Sequence, residues 1–255
     1  MEGNILKMRR FFTEPENIKG DIAEIFEDSK HIEKVLRMSC GDEILVFDGT
    51  GYEYTARLEE IGKNVCRARI TEKNLSLSEP CVKVTLFQGL PKAGKMESIV
   101  QKSVELGVFE IVPVEMQRCV VKINSPKAGQ EKAERWNKVS VEAAKQCGRG
   151  IVPKVYAPVS FSDAVKRLAE MPLAIMPYEE LGHKGEKGLK GLLAGFPDAA
   201  EIGILVGPEG GFSEEEAELA KSLGIHTVGL GKRILRTETV ASALIPVIMF
   251  DRGEF

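Results

Sequence analysis

At 255 residues, with 43% hydrophobic and 29% charged side chains, the chain has a globular composition and room for one large or two ordinary domains. No run approaches the ~20 uninterrupted apolar residues of a membrane helix, and the opening MEGNILKMRRFF lacks the apolar core and cleavage site of a secretory signal. The five cysteines (Cys40, Cys66, Cys81, Cys119, Cys147) and three histidines (His31, His183, His226) are scattered, which excludes a disulfide framework or clustered zinc ligands and leaves a cytoplasmic protein without a metal as the expectation.

Short β runs occupy the first part of the chain. Asp21–Phe26, Glu43–Phe47, Tyr52–Leu58 and Val65–Ile70 read as strands, with Asp48-Gly49 and Gly62 as turn signals between them. In Ser29–Met38, apolar Ile32, Val35 and Leu36 recur at helical spacing behind a candidate Ser cap. Several short strands with one helix predict a small β-barrel domain over residues 1–75. The polar, Pro-terminated Asn74–Pro80 marks the boundary to a second domain, 76–255.

From Cys81 the pattern changes to α/β. Val82–Gln88, Ile111–Val114, Leu173–Met176, Ile202–Val206 and Thr227–Leu230 read as strands, alternating with helices at Met96–Leu106, Gln130–Cys147, Phe161–Ala169, Ser213–Leu223 and Thr237–Phe250. Continuous apolar strands between helices imply a parallel sheet covered on both faces. His183–Gly195 reads as a mobile loop running into a short helix.

The net charge of −3 hides an uneven distribution. Residues 83–154 carry 13 basic and 7 acidic side chains, a block of +6 in a chain acidic on either side. A local basic face suits a phosphate backbone, although such a block is as often an ordinary solvated face.

Two segments carry the pattern of a ligand site. Strand Ile202–Val206 runs into Gly207-Pro208-Glu209-Gly210-Gly211, and Ser213 with Glu216 has capping-box spacing for the next helix. Strand-end glycines let backbone N–H and C=O groups approach a ligand, and open α/β sheets bind ligands at those ends. The alternative is a tight turn whose glycines serve only positive φ. G-x-G-x-x-G is absent there, and no G-K-[ST] follows, so neither a dinucleotide nor a Walker loop is indicated. Gly89–Lys95 (GLPKAGK) is a basic loop in which Lys92 and Lys95 are candidate RNA contacts. The second segment, Val228–Ala241 (VGLGKRILRTETVA), ends a strand in Leu230-Gly231 and places Arg236 before a helix that Thr237 or Thr239 could cap. Arg236 could grip a carboxylate or phosphate, or pair with Glu238.

Taken together, GPEGGF and LGKRILRTET resemble the ribosomal RNA small subunit methyltransferase E family, of the SPOUT class of knotted methyltransferases. Phe87–Val108, Arg135–Arg149, MRRFF (Met8–Phe12) and HIEKVLRM (His31–Met38) are similar to the family as well, so the likeness spans nearly the whole chain. The resemblance implies an N-terminal PUA-like barrel for RNA and a C-terminal α/β domain with a deep trefoil knot. It further implies a homodimer that binds S-adenosylmethionine and methylates N3 of one uridine in 16S ribosomal RNA. The family commonly has Ala after the last Thr of its final motif; here Val240 precedes Ala241, which bears on local packing.

Residue by residue, the resemblance implies a donor pocket from Leu205, Val206, Gly207, Pro208, Glu209, Gly210 and Gly211 on one side. Leu230, Gly231, Ile234, Leu235, Arg236, Thr237 and Thr239 form the other, and Met176, Pro177 and Tyr178 a third. Uridine N3 is protonated at neutral pH, so Arg9, Arg10 and Arg236 are candidates to stabilise a developing uridinate, and Glu209 to accept the proton or attract the cationic donor. Arg9, Arg10, His31 and Arg37 are the expected RNA contacts of the barrel; Lys138, Lys145 and Arg149, at i, i+7 and i+11, are expected to share one basic helix face. The rival readings are a knotted ribose 2′-O-methyltransferase and a non-catalytic RNA-binding assembly protein. An intact set of glycines at 207, 210, 211 and 231 with Arg236 favours catalysis over the latter.

Overall fold

The computed structural model describes residues 8–92, 94–178 and 188–254. His183–Lys187, the first part of the segment read as a mobile loop, lies outside them. The described chain divides into two compact units: residues up to Glu79 together with Val141–Val152, and Pro80–Ser140 together with Pro153 onward.

In the first unit, β1 (Arg9–Phe12), β2 (Ile18–Lys19), β3 (Ile22–Ile25), β4 (Glu43–Phe47), β5 (Tyr52–Ile61) and β6 (Cys66–Leu75) form one mixed sheet among the described residues, in the order β1-β4-β5-β6-β3-β2. β1 runs parallel to β4 and the other pairs are antiparallel. Alternate residues point to one face of a strand. Ile44 and Val46, Tyr54, Ala56 and Leu58, Cys66 and Ala68, and Ala23 and Ile25 therefore join Phe11 and Ile32 in a single core. β5 and β6 extend beyond the apolar runs that predicted them, because antiparallel pairing with register shifts continues the ladder through charged residues.

The helix expected over Ser29–Met38 is instead a short π-helical turn, His31–Val35. Ile32 is its buried residue, with Leu36 and Met38 partly buried against the same core, while Val35 stays exposed. Ser29 does not cap it; its hydroxyl donates to the carbonyl oxygens of Phe26 and Lys63, and Arg37 leaves the turn at φ 51°.

Val141–Val152 joins this unit through backbone. The Gly51 amide donates to the Gly150 carbonyl and the Val152 amide to that of Gly49, each at 3.1 Å. A Cβ on Gly150 would lie 2.2 Å from that of Ser76, so only glycine permits this approach.

In the second unit every strand pairing is parallel. β7 (Lys83–Gly89), β8 (Glu110–Glu115), β9 (Lys154–Val155), β10 (Val159–Ser160), β11 (Leu173–Pro177), β12 (Glu201–Val206) and β13 (His226–Val228) form a sheet in the order β10-β8-β7-β12-β11-β13, with β9 also on β8. Consecutive residues of β7 and β12 are buried, the signature of strands covered on both faces. Helices α1 (Lys95–Glu105), α2 (Pro126–Cys147), α3 (Phe161–Ala169), α4 (Leu189–Ala194), α5 (Glu214–Ser222) and α6 (Thr237–Asp251) complete the chain. α3 packs on β8, β10 and β12, and Gly203 of β12 admits Leu168, whose Cδ1 would stand 2.2 Å from a Cβ there.

One connection decides where the site forms. β13 is the last strand in the sheet order, yet the chain does not continue outward from it. It returns so that α6 packs against α1 and β12, two strands inward. Residues 229–236 make this return and are brought against the loop that leaves β12. α6 is apolar enough to be buried there, with Ala241, Leu244, Ile245, Ile248 and Met249 inside.

Candidate functional site

The register of the central strands sets the base of the site. β7 and β12 pair from Glu201 with Lys83 to Val206 with Gln88, so Gly207 leaves the sheet beside Gly89, the last residue of β7. A Cβ on Gly89 would meet the backbone nitrogen of Pro208 at 2.7 Å. Here glycine is needed for a close backbone approach, not for its φ. On the far side, Pro177 pairs with Val228, which brings the ends of β11 and β13 to the same level.

A cavity of about 460 Å³ opens at these strand ends, within the usual size of a small-molecule site. Val206–Phe212 forms one wall, Leu230–Thr237 with Val240 the opposite one, and Pro177 and Tyr178 a third. Lys95, Arg118 and Glu214 reach its edge. The capping box is present: Ser213 accepts from the Glu216 amide and Glu216 from the Ser213 amide, which fixes where the first loop ends and α5 begins. The Tyr178 and Phe212 rings meet edge to face, 6.4 Å apart, and give the cavity an aromatic corner.

The two Gly-bearing loops are tied together inside. Thr237 is not the cap of α6; Arg236 holds that position, without a side-chain cap bond. The buried Thr237 hydroxyl instead donates to the Gly207 carbonyl at 2.7 Å and accepts from Gln88 Nε2 at 2.9 Å. Gln88 Nε2 also donates to the Gly89 carbonyl at 3.0 Å. The floor is thus a chain of bonds across β7, the first loop and the start of α6.

Of the residues implied as donor contacts, Pro177, Tyr178, Val206–Gly211, Leu230, Gly231, Ile234, Leu235, Arg236 and Thr237 surround the cavity. Met176 and Leu205 are buried in the sheet just below, and Thr239 is exposed on α6; none of the three lines it. Arg118, Phe212, Glu214, Lys232, Arg233 and Val240 line it and were not anticipated. Arg118 stands far away in sequence, and its Nη1 donates to the Gly210 carbonyl at 3.1 Å. No local motif marks it.

Glu209 accepts from the Lys92 amide at 3.2 Å and pairs with Lys95 Nζ at 3.0 Å. Burial pushes its carboxyl up, but Lys95, its own amide and that of Lys92 outweigh burial and hold it below the ordinary value of 4.5. Glu238 pairs with Lys95 at 3.1 Å rather than with Arg236. Both charges of the GLPKAGK loop lie in the second unit: Lys92 is exposed and Lys95 is engaged by two carboxylates.

The remaining basic candidates separate into engaged and exposed. Arg10 pairs with Glu53 at 2.6 Å, donates to the Arg149 carbonyl at 2.5 Å and lies 4.3 Å from the centre of the Phe47 ring. Arg149 lies beyond the end of α2 and is buried against Glu79 at 2.7 Å, so the expected face shared with Lys138 and Lys145 does not form. Lys145 pairs with Asp28 and Glu142. Arg9, His31, Arg37 and Lys138 are exposed, the last in the second unit. Arg9 and His31, both in the first unit, border a groove that also includes Asn74, Leu75, Ser76 and Gln146.

Among the described residues, no cluster of His, Cys, Asp or Glu could hold a metal ion, and no helix is long and apolar enough to cross a membrane.

Comparison with known proteins identifies two matching families. Residues 78–249 match the family described as RNA methyltransferase domain, and residues 27–71 the one described as RNA methyltransferase PUA domain. The chain is 35% identical to ribosomal RNA small subunit methyltransferase E of Bacillus subtilis over 96% of its own length and 97% of the relative's. The fold is similar to a putative methyltransferase of Legionella pneumophila solved with bound SAM, with a TM-score of 0.84, 32% identity, and 96% and 98% of the two chains covered. It is also similar to ribosomal RNA small subunit methyltransferase E of Neisseria gonorrhoeae bound to S-adenosyl methionine, with a TM-score of 0.81, 33% identity, and 95% and 97% covered.

Proposed function

The chain belongs to the ribosomal RNA small subunit methyltransferase E family, and from that premise we propose that it transfers a methyl group from S-adenosylmethionine to N3 of a uridine in 16S ribosomal RNA. The observation that carries the reading is the cavity between Val206–Phe212 and Leu230–Thr237, at the carboxyl ends of parallel strands. Its residues fit the donor chemically. Backbone groups around Gly207, Gly211 and Gly231 are accessible to a heterocycle, and Gly211 and Gly231 adopt φ of 68° and 96°. Tyr178 and Phe212 offer aromatic contact, and the ionised Glu209 favours a cationic ligand.

The bound donor supplies an activated methyl group on a sulfonium, so the protein need not provide a nucleophile. The chain's task is to align the attacking nitrogen with that carbon and to favour loss of the N3 proton. Arg236, exposed at the start of α6, is the cation we assign to the developing uridinate. Glu209 is assigned to the donor rather than to the proton, because a carboxylate held below its ordinary range is a weak base. Arg9 and His31 are assigned to RNA in the first unit, and Arg37, Lys92 and Lys138, exposed elsewhere, are further phosphate contacts. The working form is proposed to be a cytoplasmic homodimer.

The test is mapping of methylated nucleotides in small-subunit RNA from cells with and without the protein, joined to transfer from labelled S-adenosylmethionine by the purified chain. Loss of one N3-methyluridine on deletion is the expected result; an unchanged map, or methylation of a ribose hydroxyl, overturns it.

A further inference from the structure

Three segments far apart in sequence converge on one ammonium group. Lys95 opens α1, Glu209 sits in the loop leaving β12, and Glu238 is the second residue of α6, directly after the 230–236 loop. Lys95 Nζ lies 3.0 Å from Glu209 Oε1 and 3.1 Å from Glu238 Oε2. One carboxylate therefore comes from the first wall of the cavity and the other from the first turn of α6, which anchors the second wall, and the same cation holds both. We propose that Lys95 is a positioning residue that latches the two loops of the donor pocket together at its rim, setting the width at which they face each other.

The buried bond from Thr237 to Gly207 joins the same two loops at the floor, and the Lys95 bridge joins them where side chains are partly exposed. Lys95 donates to Glu209 and Glu238, which raises its own pKa. Burial pushes the Glu209 carboxyl up but Lys95 and backbone amides pull it down, while Glu238 is lowered chiefly by its own amide and then by Lys95. Without the ammonium, two like charges face each other across the rim and push the walls apart. A single exposed ion pair adds little to global stability, so the consequence is local order rather than folding. Lys95, a candidate RNA contact by its sequence, has these two carboxylates as partners.

The inference deepens the donor-pocket reading and rests on it for the ligand, but not for the loops. Hydrogen–deuterium exchange on the free, full-length chain tests the latch without any ligand. Lys95→Met is expected to raise exchange of the 207–212 and 230–238 amides about tenfold, with the first unit unaffected and the melting temperature little changed. Lys95→Arg is expected to restore protection, and Glu238→Gln to loosen the 230–238 segment alone. Calorimetry with S-adenosylmethionine supplies the functional arm: Lys95→Met is expected to weaken donor binding by about tenfold, with KM for the donor rising more than kcat falls. This sign discriminates. A cluster acting only as an attractor for a cationic donor would bind it more tightly once Lys95 is removed. Unchanged exchange at both loops in a folded Lys95→Met chain, or tighter donor binding, overturns the latch. Failure of the wild-type chain to bind the donor overturns the proposed function while the exchange arm still decides the latch.

Discussion

Thr237 and Gly207, thirty residues apart, are joined by a hydrogen bond of 2.7 Å from the threonine hydroxyl to the glycine carbonyl oxygen, beneath the cavity. Because the same hydroxyl accepts from the buried Gln88, its removal takes a donor from the Gly207 carbonyl and leaves the Gln88 amide nitrogen with only its bond to Gly89. Thr237→Val, which keeps the shape, is expected to destabilise the chain by about 1–3 kcal/mol and to weaken donor binding. Thr237→Ser, which keeps the hydroxyl, should recover most of both. Denaturant unfolding and calorimetry check this; equal stability of the valine variant contradicts it.

Gly89 faces the backbone of Pro208, which cannot rotate away as a side chain could. Gly89→Ala is therefore expected to displace the Gly207–Gly211 loop, at a cost of about 1–3 kcal/mol and with loss of donor affinity. Gly188, at φ −59° with nothing among the described residues within 4 Å of its would-be Cβ, is the control: Gly188→Ala should leave both quantities unchanged. Parallel behaviour of the two variants in thermal melts and donor titration would exclude the steric explanation.

Arg236 is exposed and contributes no cap bond to α6. Arg236→Ala should leave the unfolding midpoint in place while lowering kcat by roughly 10²–10³, the usual effect of removing one group that stabilises developing charge. Single-turnover kinetics alongside thermal melts provide the check. Normal turnover removes Arg236 from the mechanism.

Glu209 has a depressed carboxyl pKa, so its contribution is fully present above the ordinary 4.5 and is lost only as pH falls through the lower folded-state value. Lys95 is displaced the other way, upward from 10.5, so its contribution persists until the pH rises beyond that range. Donor affinity is accordingly expected to show no step from this cluster between about pH 5 and pH 10. A neutral-pH step abolished by Glu209→Gln would contradict the assignment.

Arginines of the first unit separate by environment. Arg149, buried and paired with Glu79, is expected to be structural: Arg149→Ala should cost about 3–5 kcal/mol by leaving a carboxylate unpaired. Arg9 is exposed beside the groove, so Arg9→Ala should leave stability intact and reduce the salt slope of RNA binding by about 1. Chemical denaturation and RNA titration at several salt concentrations distinguish the two effects.

Element type and loop chemistry are local properties of this chain. Strand alternation in 43–70, continuous apolar runs from Val82 onward and the Ser213–Glu216 box are local signals, written in side-chain period and capping, and the structure follows them closely. Glycines at 207, 211 and 231 were legible as loop residues for the same reason. Tertiary structure alone decided which of these segments meet. That α6 turns back from edge strand β13 to pack on β12 and α1, and so presses Thr237 onto Gly207, depends on strand order, which no periodicity encodes. The fate of each charge was equally hidden. Arg10, Lys95 and Arg149 look the same in sequence as Arg9, yet each has a carboxylate partner 43, 114 or 70 positions away. A charge is free or spent according to what the fold places within about 4 Å of it, and that distance is set by the packed chain rather than by its neighbours in sequence.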